Sequence, residues 1–473
     1  MAYGAKVNMA LFGTDGIRGN STKYPFDNGT LAIIGKAIAK VLCSKKDKLL
    51  IISDTRESGA RIQKELARGI ASEGVEAISG AAMPTPSASF ILESKKFVAA
   101  IVISASHNPY IDNGIKIFAS NGLKLKDGIE AKIEKEIRAF EKAAVKIPPL
   151  KKPIKKDLSL LKNYENFIIS AYRHYGFNRN DGRKAANGKN EFLKNKTIVI
   201  DCANGASFKC APEVLRKLGA KIIALNIKPN GKNINKNCGA LYPQNLAKAV
   251  KKHKAFIGFA FDGDADRLIC IDEKGGVKDG DFFLASMSKF LKKQGKLKNN
   301  VLVTTVMANI GLIIAMKNEK IKVITSKVGD RYVIEDMQKH KSSLGGEQSG
   351  HFIFRDILKT GDGLLSAAML LSALSIENKK PSEFFSIIDK FPQILINKEV
   401  KEKVPFEKLQ KSSQIIEKYK NDLKDKGRIL VRYSGTENLL RVMAEGKDEK
   451  QIEQIAKTII NSIIGEINAQ IRS

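Results

Sequence analysis

Asp262, Asp264 and Asp266 stand at alternate positions with only Gly263 and Ala265 between them. They follow an apolar run at 256–261. In an extended segment residues i, i+2 and i+4 share a face, so the three carboxylates are expected to converge. Like charges packed so closely repel unless a cation sits among them, and an all-oxygen donor set points to Mg²⁺ or another hard divalent ion. An EF-hand calcium loop does not fit. Its sixth position, where the sharp turn needs glycine, is Arg267, and Leu268–Ile271 reads as a strand.

Four other stretches could work with such an ion. Ser104-Ala105-Ser106-His107-Asn108-Pro109 follows the β-branched run Ala99–Ile103. Pro109 lacks an N–H and biases Asn108 away from the helical region. Ser106 is thus set on a turn past the end of a core strand, where ligands of open α/β sheets bind. Lys116 lies ten residues further on, near enough for a turn to fold it back over the serine. Residues 12–19 carry three glycines and Arg18, a side chain suited to a bidentate phosphate contact. The loop 345–351 carries Glu347, Gln348, Ser349 and His351, a set suited to the hydroxyls and amine of a sugar. Arg432, Ser434, Gly435 and Thr436 supply a guanidinium, two hydroxyls and a glycine turn able to cradle a phosphate. Each stretch alone reads as an ordinary polar loop. Together they describe phosphoryl transfer on a sugar.

The elements that must position these residues have an α/β rhythm of strand, polar loop and helix. A chain of 473 residues is too long for one core, so several domains are expected. Strands are expected at 49–52, 112–117, 197–200, 256–261, 301–305 and 323–326. Helices are expected from Arg61, at 160–172 and at 364–374. Pro84-Thr85-Pro86 reads as a rigid turn, and 147–153, with three prolines, as a linker. Residues 177–190 read as an exposed polar insertion. Isoleucines at 452, 455, 459 and 463 give one face of a closing helix. The expected domains are 1–150 with the serine loop, 154–254, 255–376 with the metal and sugar loops, and 380–473 with the phosphate loop. Strand-then-loop recurs at Ile103, Ile200 and Phe261, which suggests three similar α/β units.

Composition excludes several classes. No basic segment with an apolar core opens the chain, and the longest apolar stretches, 301–316 and 364–376, fall short of a membrane span. The five cysteines, 43, 202, 210, 238 and 270, have no zinc or redox spacing, and their odd count argues against a disulfide framework. A cytoplasmic protein is expected. The net charge of +31 is spread over the chain without interleaved aromatics and reads as solvated surface. It would steer an anionic substrate. A basic nucleic-acid-binding protein is the rival from another class, and it leaves the three aspartates unexplained. Neither nucleic acid nor a membrane is an expected partner, and a monomer or homodimer is.

In order from Phe12 to Gly446, these stretches resemble the α-D-phosphohexomutase family. The resemblance implies three related α/β domains with mixed sheets and a smaller α+β C-terminal domain around a central cleft. It implies that Ser106 carries the catalytic phosphate and that Asp262, Asp264 and Asp266 hold Mg²⁺, with a phosphoserine oxygen completing the contact. Arg18, His107 and Lys116 are similar to residues around that phosphoserine, and Lys116 is the expected general base if its pKa is lowered. Arg267, Glu347 and Ser349 fall at substrate-contact positions, and Arg432, Ser434, Gly435 and Thr436 at the site for the substrate's own phosphate. Gln348, where the glucose and mannose branch has Met, points to the amino-sugar branch. The implied reaction interconverts glucosamine 6- and 1-phosphate through a 1,6-bisphosphate. A phosphomannomutase or phosphoglucomutase of the same family is the alternative. Tyr433 and Asn438 depart from the usual Lys and Pro without removing a phosphate ligand.

Overall fold

The structure, a computed structural model, describes residues 10–13, 15–177, 191–434 and 438–472. The chain divides into two compact units, Met1–Val306 with Ile321–Ser386, and Met307–Lys320 with Ile387–Ser473. The expected insertion at 177–190 lies outside the described residues except for Phe177.

The first sheet of the larger unit holds β1 (Phe12–Gly13), β2 (Gly16–Asn20), β3 (Lys48–Ser53), β4 (Glu76–Ala82), β5 (Ala99–Ile103), β6 (Asp112–Ala119) and β7 (Lys155–Lys156), in the order β1-β2-β6-β5-β3-β4-β7. Helices α1 (Asn28–Leu42), α2 (Gly59–Ser72), α3 (Pro86–Leu92) and α4 (Asp127–Lys142) accompany it. Leu49 to Ile52 and all of β5 are buried, as parallel neighbours covered on both faces must be. β5 and β6 form an antiparallel hairpin with Ile103 opposite Ile115 and Val102 opposite Lys116. Its connection is the Ser106 loop, so one hairpin delivers both the serine and the lysine. Two expectations change here. Pro86 opens α3 rather than ending a turn, because proline suits the first turn of a helix. The sheet also continues past the linker, since β7 pairs in parallel with β4 beyond the boundary expected at 150.

The second sheet contains β8 (Thr197–Asp201), β9 (Lys221–Leu225), β10 (Ile257–Phe261), β11 (Leu268–Ile271) and β12 (Val277–Lys278), ordered β12-β11-β10-β8-β9. Helices α5 (Ser159–Phe177), α6 (Cys210–Lys217) and α7 (Gln244–Lys252) belong to the same stretch. The boundary expected at 254 is therefore wrong. β10 is apolar and wholly buried, and it is satisfied on both edges, by β8 in parallel and β11 in antiparallel pairing. Ile200 in β8 and Phe261 at the end of β10 thus belong to strands lying side by side in one sheet, not to two repeated units.

The third sheet, β13 (Val301–Thr305), β14 (Lys322–Ser326), β15 (Leu344–Gly346) and β16 (Phe352–Phe354), has the order β14-β13-β15-β16. It is accompanied by α8 (Gly280–Lys293), α10 (Asp330–Lys339), α11 (Gly363–Glu377) and α12 (Pro381–Phe384), while α9 (Ile310–Asn318) groups with the smaller unit. Residues Gly363 to Ser375 of α11 are buried all round, as an apolar helix without a polar face must be. Asp362 caps it, accepting from Leu365 N at 2.9 Å. Tyr164 of α5 donates to the other oxygen of Asp362 at 2.8 Å.

The smaller unit is built on β17 (Gln393–Glu399), β18 (Gly427–Tyr433) and β19 (Leu439–Gly446), ordered β17-β19-β18, with α13 (Gln410–Leu423) and α14 (Glu449–Arg472). Ile452, Ile455, Ile459 and Ile463 of α14 lie in its core, as their spacing requires. The unit begins at Ile387 rather than 380, and it takes in α9. Glu445, with no exposed surface, is the tie. Its Oε2 accepts from Ile310 N at 3.2 Å and from Arg428 Nε at 3.1 Å. Among the described residues no helix is long and apolar enough to cross a membrane.

Candidate active site

Ser106 sits in the left-handed region, φ 51°, a conformation costing a non-glycine residue about 1 kcal/mol. The β5–β6 connection imposes it, and the result is a buried hydroxyl aimed across to the second sheet. Ser106 Oγ donates to Asp262 Oδ2 at 2.6 Å, and His107 Nδ1 lies 3.4 Å from Ser106 Oγ.

The three aspartates are not on an extended strand. After Phe261 the chain turns, with Ala265 N donating to Asp262 O at 3.1 Å and Ala265 itself at φ 60°. The turn still gathers one oxygen from each of Asp262, Asp264 and Asp266 within 4.8 Å of one another, all three residues buried. Thr85, just before α3, holds Asp264 through its hydroxyl at 2.7 Å. Asp264 Oδ1 and Asp266 Oδ1 are buried without a hydrogen-bond partner. Burial, then Asp266 and Asp264, push the Asp262 carboxyl well above its ordinary range. Orphaned acceptors and mutual repulsion are what a cation in this cluster would relieve, so the residues present fit a hard divalent ion.

Lys116 lies 3.0 Å from Asp264, 3.7 Å from Asp266 and 3.5 Å from Asp15. Burial alone would lower its pKa, but Asp15, Asp264 and Asp266 outweigh burial and raise it. The protein's own groups therefore do not give the lowering expected of a general base. Burial, then Arg267 and Arg18, hold His107 down at about 4, so its imidazole is neutral at pH 7. Arg18 pairs with Asp15. Arg267 is held by its own backbone, its N–H donating to Asp262 Oδ1 at 3.2 Å, and its guanidinium faces Asp266 at 3.9 Å.

Residues 345–351 form a tight hairpin turn between β15 and β16 rather than a flexible loop. Glu347 N donates to His351 O at 2.9 Å and Gly350 N to Glu347 O at 3.0 Å. Gly350, at φ 95°, makes the turn possible. A bridge between Arg267 and His351 docks this hairpin on the aspartate loop. Glu347 Oε1 accepts from Gly329 N at 3.1 Å, and exposed Ser349 lies 3.4 Å from Glu347 Oε2.

Sequence reasoning missed Asp15, Lys124 and Asp330 as site residues. Lys124 pairs with Asp15 and, at 2.7 Å, with Asp330, while His351 lies 3.8 Å from Asp330 and 4.0 Å from Asp266. With Lys116 this closes a ring in which acidic and basic side chains alternate, Asp266–Lys116–Asp15–Lys124–Asp330–His351. The ring joins the serine hairpin, the aspartate turn and the sugar-type loop. Its members come from six separate places in the sequence, and no local spacing marks them.

In the smaller unit Arg432 stands directly opposite Arg441 on the neighbouring strand. Burial, then Arg441, lowers the Arg432 pKa. Two guanidiniums facing across a ladder repel, and an anion between them would relieve it. Arg441 is a further missed residue, detectable once the β18–β19 register is known. Ser434 is buried just after β18, donating N–H to Leu439 O at 2.8 Å. Gly435 and Thr436 lie outside the described residues.

Comparison with known proteins follows this geometry closely. Four domain descriptions match in chain order: phosphoglucomutase/phosphomannomutase alpha/beta/alpha domain I over residues 9–144, domain II over 183–276, domain III over 279–391 and the C-terminal domain over 395–462. Domain II includes the aspartate turn, as the pairing of β10 with β8 requires. Over 96% of its length the chain is 43% identical to the phosphoglucosamine mutase of Syntrophotalea carbinolica, covering 97% of that protein. It is 44% identical to the phosphoglucosamine mutase of Geotalea uraniireducens, with 95% and 96% of the two chains covered. Among solved structures, a phosphoglucomutase/phosphomannomutase family protein from Burkholderia thailandensis matches with a TM-score of 0.75 at 21% identity, over 97% of each chain. With four consecutive domains matched and relatives above 40% identity end to end, the chain belongs to the phosphoglucomutase/phosphomannomutase family.

Proposed function

We propose that this protein interconverts glucosamine 6-phosphate and glucosamine 1-phosphate, with Ser106 as the phosphate carrier and Mg²⁺ as the bound ion. The observation that carries the reading is the Ser106 hydroxyl 2.6 Å from Asp262, in a cluster of three carboxylates within 4.8 Å. A nucleophile, a cation site and buried basic groups thus meet at one point. The amino-sugar choice is supported by Gln348 and by the names of the two relatives quoted above.

In the forward direction phosphoserine 106 faces O1 of the 6-phosphosugar. The bond from phosphorus to Ser106 Oγ breaks as the bond to O1 forms, and the O1 proton passes to a base. Asp262, Asp264 and Asp266 would hold Mg²⁺, which would neutralise charge on the phosphoryl oxygens. A cation on Asp264 and Asp266 would remove two of the three carboxylates that raise the Lys116 pKa, leaving Asp15 opposed by burial and Arg18. Lys116 is then the candidate proton acceptor. Neutral His107, beside Ser106 Oγ, and Arg18 orient the transferring group. Glu347 and Ser349 contact the sugar's hydroxyls or amine, with Arg267 beside them. Arg432, Ser434, Gly435 and Thr436 take the phosphate that is not reacting. The bisphosphate then exchanges ends, and Ser106 Oγ recovers the phosphoryl group from O6.

The test is a coupled assay with glucosamine 6-phosphate, Mg²⁺ and a trace of the 1,6-bisphosphate, run beside glucose and mannose 1-phosphates. Glucosamine phosphate is expected to be turned over fastest, and faster turnover of glucose or mannose phosphate would move the protein to the other branch. Ser106→Ala is expected to abolish turnover while sugar-phosphate binding persists. Wild-type turnover by that variant, or a Ser106 peptide never found phosphorylated, would refute the mechanism.

A further inference from the structure

Arg56 lies outside the groups assigned so far, yet it is among the most completely engaged side chains in the protein. It is 3% exposed. A guanidinium has five N–H donors, and all five are used. Nε donates to Asp54 Oδ2 at 2.9 Å. Nη1 donates to Pro109 O and, at 3.1 Å, to Asp112 O. Nη2 donates to Ser106 O at 3.0 Å and Asn108 O at 2.9 Å. Four of the five acceptors are main-chain carbonyls of the serine loop. A second grip comes from a turn between β9 and α7. Asn235 Nδ2 donates to Ser106 O at 2.8 Å and Asn108 O at 3.1 Å. Asp54 closes the circuit, because its Oδ2 accepts from Ser104 Oγ at 2.6 Å and Ser104 Oγ accepts from Ser106 N at 2.9 Å.

The loop needs such restraint. Ser106 is held in the left-handed region, which other residue types leave when they can. Gly263, between two of the aspartates, packs so closely that a Cβ there would lie 2.5 Å from Ser106 O and 2.8 Å from Asn235 Nδ2. The carbonyl of the nucleophilic residue is therefore the point on which Arg56, Asn235 and the aspartate turn converge.

We propose that Arg56, braced by Asp54 and assisted by Asn235, is the positioning residue for phosphoryl transfer: it fixes the strained main chain of Ser106 so that the phosphoryl group stands in line with the sugar hydroxyl. A planar fork can hold four divergent carbonyls at once, whereas the point charge of a lysine cannot. The inference rests on Ser106 being the phosphate carrier.

The experiment loads wild type, Arg56→Lys and Asn235→Ala with glucosamine 1,6-bisphosphate. It then measures single-turnover transfer to glucosamine 6-phosphate, normalised to the phosphorylated Ser106 found by peptide mass spectrometry. A merely structural role lowers the amount of phosphorylated protein but not the rate per phosphorylated site. Arg56→Lys is expected to transfer about 10²-fold more slowly per site, the cost of misplacing reacting atoms by about 1 Å. KM for the sugar phosphate should stay within about threefold while kcat falls, as expected when only transition-state alignment is lost. Asn235→Ala should show a smaller fall in the same direction, and amides of 104–112 should exchange faster in both. Wild-type rates per site in Arg56→Lys overturn the proposal. If that variant does not fold, Asn235→Ala decides: a slowed per-site rate supports it and an unchanged one overturns it. Failure to find phosphate on Ser106 in wild type would instead sink the reading of Ser106 itself.

Discussion

Lys124 illustrates how much of this site is built from charge balance rather than from motif residues. Its side chain is 14% exposed, and burial lowers its pKa while Asp330 and Asp15 together outweigh burial and raise it. Removing one partner of a buried ion pair leaves the other uncompensated, at a cost of about 3–5 kcal/mol. Lys124→Met is therefore expected to lower the urea midpoint clearly and to reduce kcat, since Asp15 and Asp330 lose their common counter-ion. Lys124→Met combined with Asp330→Asn should recover part of the stability, because one of the stranded charges has gone. Equal destabilisation by the single and double variants would show that the two side chains are not coupled. Ser106, the three aspartates and the phosphate-type arginine were legible in the sequence because each sits in a short run of polar residues after an apolar strand. Asp15, Lys124, Asp330, Arg56 and Asn235 were not, because their roles exist only once distant segments meet.

Elements explain where the sequence misled. Alternation of Asp with small residues suggested an extended strand, but Ala265 takes a left-handed conformation and the carboxylates gather through a turn. Strand β10 looked like the start of a new domain because an apolar strand after a polar stretch carries no mark of which sheet it joins. Only pairing with β8 places it. Helix α11 was recognisable from its continuous apolar run, yet the group that fastens its start to α5 was not. Asp362 there is buried, and burial pushes its carboxyl up to about 6. Its folded value lies above the ordinary 3.8, so the folded state binds the proton more tightly. Stability is expected to fall as pH rises from about 4 to about 6, and to stay lowered above that. Asparagine can still accept from Leu365 N and pair with the Tyr164 hydroxyl without carrying a charge. Asp362→Asn should therefore raise stability at pH 8 by about 2–3 kcal/mol and have little effect near pH 4, measured by urea unfolding at the two pH values. A variant less stable than wild type at pH 8 would contradict this.

At the scale of the whole molecule, the net charge of +31 acts on an anionic substrate before any contact is made. Such steering is screened by salt, the Debye length falling from about 10 Å at 0.1 M to about 3 Å at 1 M. The expected outcome is a fall in kcat/KM for the sugar phosphate between about 0.05 and about 0.5 M KCl, carried mainly by KM, with kcat nearly constant. A salt-independent kcat/KM would mean that the surplus lysines are electrostatically idle toward substrate. The four-domain plan was expected from the resemblance, and the matched domains agree with it. The borders were not, because a chain that leaves one sheet and returns, as β7 and α9 do, gives no compositional signal of its destination.

Helix α9 has one further consequence. It lies in sequence between two strands of the third sheet, yet it packs with the last ninety or so residues, and Glu445 of β19 caps its first turn. The backbone therefore crosses between the two units at three places, after Val306, after Lys320 and after Ser386. The C-terminal part is not a detachable appendix. A gene cut at Ser386 would leave α9 orphaned, Ile310 N without its Glu445 acceptor and its apolar flank bare, and a gene begun at Ile387 would produce a fragment missing one of its own walls.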